Sequence, residues 1–126
     1  MARVAGGSGV LPPAVTILVP VLNEAAAIPA LAAHFATLDP APAEILAVDG
    51  GSGDETLALT EAAGWRVIGA ERGRARQINA GVEAASSPLV CVVHADSFPP
   101  PDMVRVITDT LADRKIALAS FTPVIA

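Results

Sequence analysis

The run Leu89–Val93, five residues without a charged or amide side chain, constrains the fold of this chain more than any other feature. Short apolar runs rich in β-branched residues are typical of strands buried on both faces of a parallel sheet. The run ends at His94 and Asp96, and prolines at positions 99–101 force a loop. In open α/β sheets, ligands bind at the carboxyl ends of the strands. The sequence therefore predicts a buried strand with two polar side chains at that edge.

Four other segments have the apolar character of buried strands, and segments with helical periodicity separate them. The predicted strands are Val15–Val19, Ile45–Val48, Trp65–Ile68 and, after the central run, Ala117–Phe121. This alternation predicts an α/β fold, in which right-handed crossovers build a Rossmann-like, mainly parallel sheet with helices on both faces. We expect the first four strands in the order 3-2-1-4, with Asp49 and Asp96 at the same edge.

Capping residues and glycines set the expected helix boundaries. The first helix is predicted to open at Asn23 or Glu24, and Asp54 is a suitable N-cap for the second. Gly64 is placed to end that second helix, and Asp102 to cap the fourth. The third helix is expected to follow the arginines at positions 72, 74 and 76 and to pack through one apolar face.

Composition limits the classes of protein to consider. The chain has 126 residues, enough for one domain, and its 52% apolar but only 3% aromatic residues predict an aliphatic core. A net charge of −5 argues against a nucleic-acid partner. Residues 1–14 are interpreted as a flexible, Gly-rich lead, and residues 15–126 as one domain.

Cysteine usage and hydropathy bear on location. Cys91 has no partner for a disulfide, which is consistent with a reducing compartment. No apolar run approaches the roughly 18 residues of a membrane helix, so we expect a cytoplasmic protein without a transmembrane segment. Peripheral attachment to a membrane surface stays open at this stage.

Asp49 is the first candidate for ligand binding. A carboxylate just past a buried strand accepts hydrogen bonds from a base or a ribose, and Gly50 beside it lets a ligand approach the backbone. Equally, an aspartate in this position caps its own turn. The sequence does not decide between these two interpretations.

The three arginines at positions 72, 74 and 76 are the densest positive charge in an acidic chain. Arginine binds phosphate through two parallel hydrogen bonds, and a helix N-terminus adds amide donors and a favourable dipole. The alternative is a solvated loop. We favour phosphate contact by at least one arginine, with Arg74 the first choice, and assign Asn79 and Gly81 to helix packing.

His94 and Asp96 are candidate metal ligands. Mg²⁺ and Mn²⁺ prefer oxygen ligands, and Mn²⁺ also accepts an imidazole. Asp96 is the stronger candidate, because a single histidine is more often a hydrogen-bonded structural residue. His34, in the middle of the first helix, is interpreted as structural. Glu24 has two interpretations, a favourable charge at a helix N-terminus or a ligand contact.

Four segments together resemble glycosyltransferase family 2 with the GT-A fold, over nearly the whole chain from Val15. The likeness is greatest to a small bacterial subgroup that carries His-Ala-Asp in place of the usual Asp-x-Asp. The four segments are Val19–Glu24, Val48–Ser52, Arg72–Gly81 and His94–Asp96.

The resemblance implies a role for each matching position. The loop at positions 20–24 would line a nucleoside pocket, Asp49 would contact the base, and Arg74 would lie near the base or the diphosphate. Asp96 would hold Mg²⁺ or Mn²⁺ on that diphosphate, with His94 in place of the motif's first acid. Ala95 stands where some relatives have a ribose-binding acid. The nucleotide-binding positions so implied are Pro20, Val21, Asn23, Glu24, Asp49, Gly50, Arg74 and Ala95.

The same resemblance implies a function. The expected activity is metal-assisted, inverting transfer of a sugar from a UDP- or GDP-linked donor to an unknown acceptor. The family's second half, which supplies the acceptor pocket and the catalytic base, has no match here, so we expect a donor-binding half with no catalytic base assigned. Uncovered apolar surface would then favour self-association. The alternative is a non-catalytic nucleotide-binding or partner-binding module with the same fold.

Overall fold

The computed structural model describes residues 14–111 and 117–121, within which five strands form one parallel sheet. The strand order is β3-β2-β1-β4-β5, which confirms the predicted order of the first four strands and the fifth strand. Apart from Ala14, the predicted lead lies outside the described residues. The elements are β1 Val15–Val21, α1 Ile28–Phe35, β2 Glu44–Asp49, α2 Thr56–Ala62, β3 Arg66–Gly69, α3 Arg74–Ala84, β4 Leu89–Val93, α4 Met103–Leu111 and β5 Ala117–Phe121.

Side chains alternate between the two faces of the sheet, and each face has its own apolar cluster. Along β1, Ile17 and Val19 belong to the cluster that includes Leu31 of α1 and Met103 of α4. Leu18 points the other way and packs in the cluster beneath α3. Helices therefore cover both faces, as predicted. No helix in the described ranges is long and apolar enough to cross a membrane.

Gly81 allows helix α3 to pack closely against the sheet. A methyl group at this position would overlap the Leu18 side chain and approach Val48 Cγ2 to 2.9 Å. The predicted packing role of Gly81 is confirmed. The close approach matters for function, because α3 begins at the carboxyl edge of the sheet and its position there depends on this contact.

Two predicted boundaries differ from the structure. Strand β1 continues through Pro20 to Val21, and α1 begins at Ile28 rather than at Asn23 or Glu24. Asn23 has φ 54°, a left-handed conformation that cannot start an α-helix. By contrast, Gly64 follows the end of α2 with φ 83°, as predicted. The N-cap of α2 is Glu55 rather than the predicted Asp54, which precedes it and accepts a hydrogen bond at Oδ1 from Thr56 N (2.9 Å).

The amino-terminal edge of the sheet is held by the Glu44 carboxylate. Its Oε2 accepts hydrogen bonds from Thr16 Oγ1 (2.7 Å) and from the amide and hydroxyl of Ser86 (2.7 and 2.9 Å), while Arg66 Nη1 donates to Oε1 (3.2 Å). Burial alone would raise the pKa of the Glu44 carboxyl, but these hydrogen bonds together lower it. The cluster ties β1, β2, β3 and the end of α3 together, opposite the edge where ligands are expected.

Candidate functional site

An open cavity of about 480 Å³ lies at the carboxyl edge of the sheet, where β1 and β4 end and α3 begins. Three of the four segments singled out in the sequence line it, and the Asp49 segment does not. The size is within the range of small-molecule sites. Its lining residues are Pro20, Val21, Leu22, Glu24, Arg74, Gln77, His94, Ala95 and Asp96.

The His-Ala-Asp segment is a turn rather than the end of a strand. Strand β4 ends at Val93, and Ser97 N donates to His94 O (2.9 Å), which closes the turn. His94 is half-buried and Asp96 exposed, and both line the cavity, although not through strand alternation. Ala95 is 3% exposed, so this position offers the cavity little polar surface.

Of the three arginines, Arg74 is the one that lines the cavity. It is the first residue of α3, next to the N-cap Gly73. Arg76 points instead toward Glu71, with Nη1 and Oε1 3.5 Å apart and both side chains largely exposed. The sequence-based preference for Arg74 thus agrees with its position, at a helix N-terminus where amide groups and the helix dipole favour anions.

Asp49 is directed into its own turn. Its Oδ2 accepts hydrogen bonds from Gly51 N (2.9 Å) and Ser52 N (3.0 Å), and its Oδ1 accepts one from the Ser52 hydroxyl. The residue is 5% exposed and does not line the cavity. Of the two interpretations of the sequence, this geometry is that of the turn cap.

The loop after β1 is bonded to the loop after β2. Asn23 Oδ1 accepts from Gly53 N (2.8 Å), and Asn23 N donates to the Ser52 hydroxyl (2.9 Å). Glu24 N donates to the Thr56 hydroxyl (2.8 Å). Asn23 does not line the cavity, whereas Glu24 does. The Asn23 amide therefore holds the loop that presents Glu24.

Asp54 adds a further bond between these loops, since its Oδ2 accepts from Ala25 N (3.2 Å). The hydroxyl and the amide of Thr56 donate to the other oxygen. These hydrogen bonds lower the pKa of the Asp54 carboxyl, the Thr56 hydroxyl having the largest effect.

Gln77 is the site residue that sequence reasoning missed. Its side chain is 4% exposed at the base of the cavity. Nε2 donates to Val21 O (3.0 Å) and to Val48 O (2.9 Å), and Oε1 accepts from Gly73 N (3.3 Å). The available signal was its spacing, because Gln77 shares a helix face with Gly81 and so places a polar amide against the sheet.

The cavity offers few protein ligands to a metal. Within residues 14–111 and 117–121, no group of three or more His, Cys, Asp or Glu side chains could hold an ion. An ion in the cavity would therefore take at most two of these side chains, for which Asp96 and His94 are the predicted pair, and its other ligands from a bound molecule and water. One carboxylate plus substrate oxygens suits Mg²⁺, and an imidazole in addition suits Mn²⁺.

A family model, "Glycosyl transferase family 2", matches residues 16–125. An uncharacterized glycosyltransferase of Mycobacterium bovis is 35% identical over 98 residues, which are 76% of this chain and 43% of that protein. The chain therefore belongs to glycosyltransferase family 2, and it spans less than half the length of this curated relative.

Solved structures share the fold. A glucosyl-3-phosphoglycerate synthase from Mycobacterium tuberculosis, in complex with Mn²⁺, UDP and glucosyl-3-phosphoglycerate, superimposes with a TM-score of 0.65 and 22% identity, covering 80% of this chain and 40% of that one. The mannosyltransferase PcManGT from Pyrobaculum calidifontis, in complex with GDP-Man and Mn²⁺, superimposes with a TM-score of 0.67 and 26% identity, covering 82% of this chain and 34% of that one. The predicted family and fold are confirmed.

Proposed function

We propose that this chain binds a nucleoside-diphosphate sugar, UDP- or GDP-linked, in the carboxyl-edge cavity and acts as the donor-binding part of a glycosyltransferase. The observation that carries this proposal is the meeting of Arg74, Asp96 and His94 around one cavity of about 480 Å³. A guanidinium at a helix N-terminus and two metal-ligating side chains form a combination suited to a diphosphate with a divalent cation.

The diphosphate end of the donor would lie between α3 and the turn after β4. Arg74 would contact phosphate oxygens, and Asp96, with His94, would hold Mg²⁺ or Mn²⁺. A bound divalent ion would supply Lewis-acid stabilisation of the departing diphosphate. The solved relatives that contain Mn²⁺ together with UDP or with GDP-Man support this assignment by analogy of fold.

The nucleoside would lie against the end of β1. The less polar part of the lining is formed by Pro20, Val21 and Ala95. The Glu24 carboxylate would lie within reach of a polar group of the nucleoside. Asp49, Gly50 and Asn23 would contribute from behind, because they fix the loops after β1 and β2. In this proposal Asp49 supports base recognition through the turn that it caps.

Inverting transfer to an acceptor hydroxyl needs a general base. In the described residues, the carboxylates that line the cavity are Glu24 and Asp96. With Asp96 assigned to the metal, the remaining carboxylate is Glu24, which this proposal places beside the nucleoside. We therefore assign the base to the part of the longer relatives that this chain does not cover. The same observation favours, as second candidate, a module that binds nucleotide without catalysis.

Calorimetric titration of the chain with UDP and GDP, with Mn²⁺ or with EDTA, tests the donor site. We expect binding that requires the metal, and a loss of about tenfold to hundredfold in affinity for Asp96→Asn and for Arg74→Ala, the usual cost of one charged hydrogen bond. Asp109→Asn is the matched control, since Asp109 is an exposed acid on α4 outside the cavity.

Two results would overturn the proposal: equal binding in EDTA, or no binding of either nucleotide under any condition. Slow metal-dependent hydrolysis of the bound nucleotide sugar would favour the transferase. Binding of the intact donor by a longer relative's full chain, with no transfer to any hydroxyl acceptor including water, would favour the non-catalytic module.

A further inference from the structure

The contacts of Gln77 connect three separate segments at the carboxyl edge of the sheet. Val21 and Val48 are at the ends of the neighbouring strands β1 and β2, and one amide nitrogen of Gln77 bridges their carbonyl oxygens. The carboxamide oxygen accepts from Gly73 N, at the start of α3. Both hydrogens and one lone pair of the side chain are thus occupied by backbone groups.

Gln77 also contributes a hydrogen bond at the start of α3. The N-cap residue of α3 is Gly73, which has no side chain and makes no capping hydrogen bond. Its free N–H would otherwise lack a protein partner, as the first amides of a helix do. The oxygen of Gln77 reaches back to that N–H, in the manner of a capping box. Arg74 is the next residue, so its backbone position is set by this bond.

Gly50 packs closely against the carboxamide of Gln77. A Cβ at Gly50 would lie 2.9 Å from Gln77 Cδ and Oε1, closer than such atoms approach in proteins. A side chain at position 50 would therefore displace the carboxamide. Gly50 N also donates to Val21 O (3.0 Å), which Gln77 shares as acceptor.

We propose that Gln77 is a positioning residue of the donor site. Its carboxamide fixes the separation between the strand ends, where the nucleoside is proposed to lie, and Arg74, where the diphosphate is proposed to lie. The inference rests on the proposed function and adds a specific device to it. Its consequence is that binding of the two halves of a nucleoside diphosphate is coupled through a residue buried behind them.

The substitution Gln77→Met tests this coupling, because methionine has a similar length and makes none of the three bonds. We expect UDP with Mn²⁺ to bind about tenfold more weakly, whereas uridine alone and inorganic pyrophosphate with Mn²⁺ change less than about threefold. Coupling of this size is typical of residues that share one network. Titrations are made at a temperature at which every variant is folded, as checked by circular dichroism.

Two further variants separate positioning from general loss of stability. Thr16→Val removes a partly buried hydrogen bond at the opposite edge of the sheet and is expected to lower stability without changing UDP binding. In an Arg74→Ala background, Gln77→Met should cost less than about threefold, because the group that Gln77 positions is gone.

The outcomes are distinguishable. If wild type does not bind UDP or GDP with Mn²⁺, the proposed donor site is wrong, and this inference fails with it. If wild type binds, and folded Gln77→Met binds equally well or Thr16→Val weakens binding as much, only the positioning role is overturned. Should Gln77→Met fail to fold, Gly50→Ala displaces the same carboxamide with Gln77 present, and unchanged UDP binding there overturns the inference.

Discussion

Replacing Gly50 by alanine isolates the contribution of the Gln77 amide to stability. The φ angle of Gly50 is not in the left-handed region, so alanine fits the backbone, and only the added methyl group matters. That methyl would meet Gln77 at 2.9 Å. The carboxamide must then move, and the hydrogen bonds to Val21 O and Val48 O lengthen or break.

The magnitude follows from these bonds. Each is worth about 0.5–1.5 kcal/mol net, so loss of two gives about 1–3 kcal/mol. The lower chain entropy of unfolded alanine relative to glycine offsets this by about 0.4–1 kcal/mol. For a domain of this size, each kcal/mol lowers the melting temperature by roughly 3–5 °C.

Gly53→Ala is the matched control for the assay. Gly53 lies in the same loop, has no positive φ, and an added Cβ there has no heavy atom within 4 Å. Urea unfolding followed by circular dichroism should show Gly50→Ala less stable than wild type and Gly53→Ala as stable or slightly more stable. A further Gln77→Ala change should cost less in the Gly50→Ala background than alone. Equal stability of the two alanine variants would refute the reasoning.

Three other predictions concern the rest of the fold. Folding lowers the pKa of Glu44, so its contribution to stability is fully present above the ordinary value of 4.5 and is lost as the pH falls through the folded pKa. In Glu44→Gln, the melting temperature should therefore depend less on pH below 4.5 than it does in the wild type. Gly81→Ala should lower the free energy of unfolding, because overpacking against Leu18 costs about 1–3 kcal/mol and the higher helix propensity of alanine offsets only about 1 kcal/mol. Gly69→Ala, with open space around it, should not lower it, and urea unfolding of both variants checks this. Burial raises the pKa of the Cys91 thiol to about 12, so Ellman's reagent at pH 8 should react with it only after unfolding, and fast reaction of the folded protein would contradict this.

The strands and their shared edge could be predicted because their sequence signals are local. A run such as Leu89–Val93 has no stable place except between two covered faces, and crossovers of parallel strands bring all carboxyl ends to one edge. The cavity between β1, β4 and α3 follows from that topology. Arg74 could be favoured over Arg76 on position alone, and the ion pair of Arg76 with Glu71 is consistent with that choice.

Side-chain direction at the loops could not be predicted, because it depends on residues far away in the sequence. The start of α1 is delayed by Asn23, whose left-handed backbone is stabilised by bonds to Ser52 and Gly53 about 30 positions later. The sequence predicts a structural role for His34 but does not identify its partner. Its ring bonds to Pro99 O and meets the Phe98 ring edge-on, 65 and 64 positions away.

The direction of the Asp49 carboxylate likewise depends on the backbone around it. Whether its carboxylate turns toward a ligand or toward its own turn is decided by the backbone of positions 50–52, where Gly51 has φ 102°. A glycine in the sequence permits this angle but does not require it. The sequence is therefore consistent with both interpretations, and the turn geometry decides which hydrogen bonds the carboxylate makes.

In the proposed donor site, charge balance would link binding of the metal to binding of the nucleotide. Among the described residues, the charged side chains that line the cavity are Glu24, Asp96 and Arg74, two negative and one positive, which give one net negative charge when His94 is counted as neutral. A nucleoside diphosphate brings several more, and like charges held within a few ångströms of each other in a partly desolvated cavity repel strongly. With at most two protein ligands available, a divalent cation is itself held weakly before the diphosphate oxygens join it. Cation and nucleotide should therefore bind together, each raising the affinity for the other by the same factor.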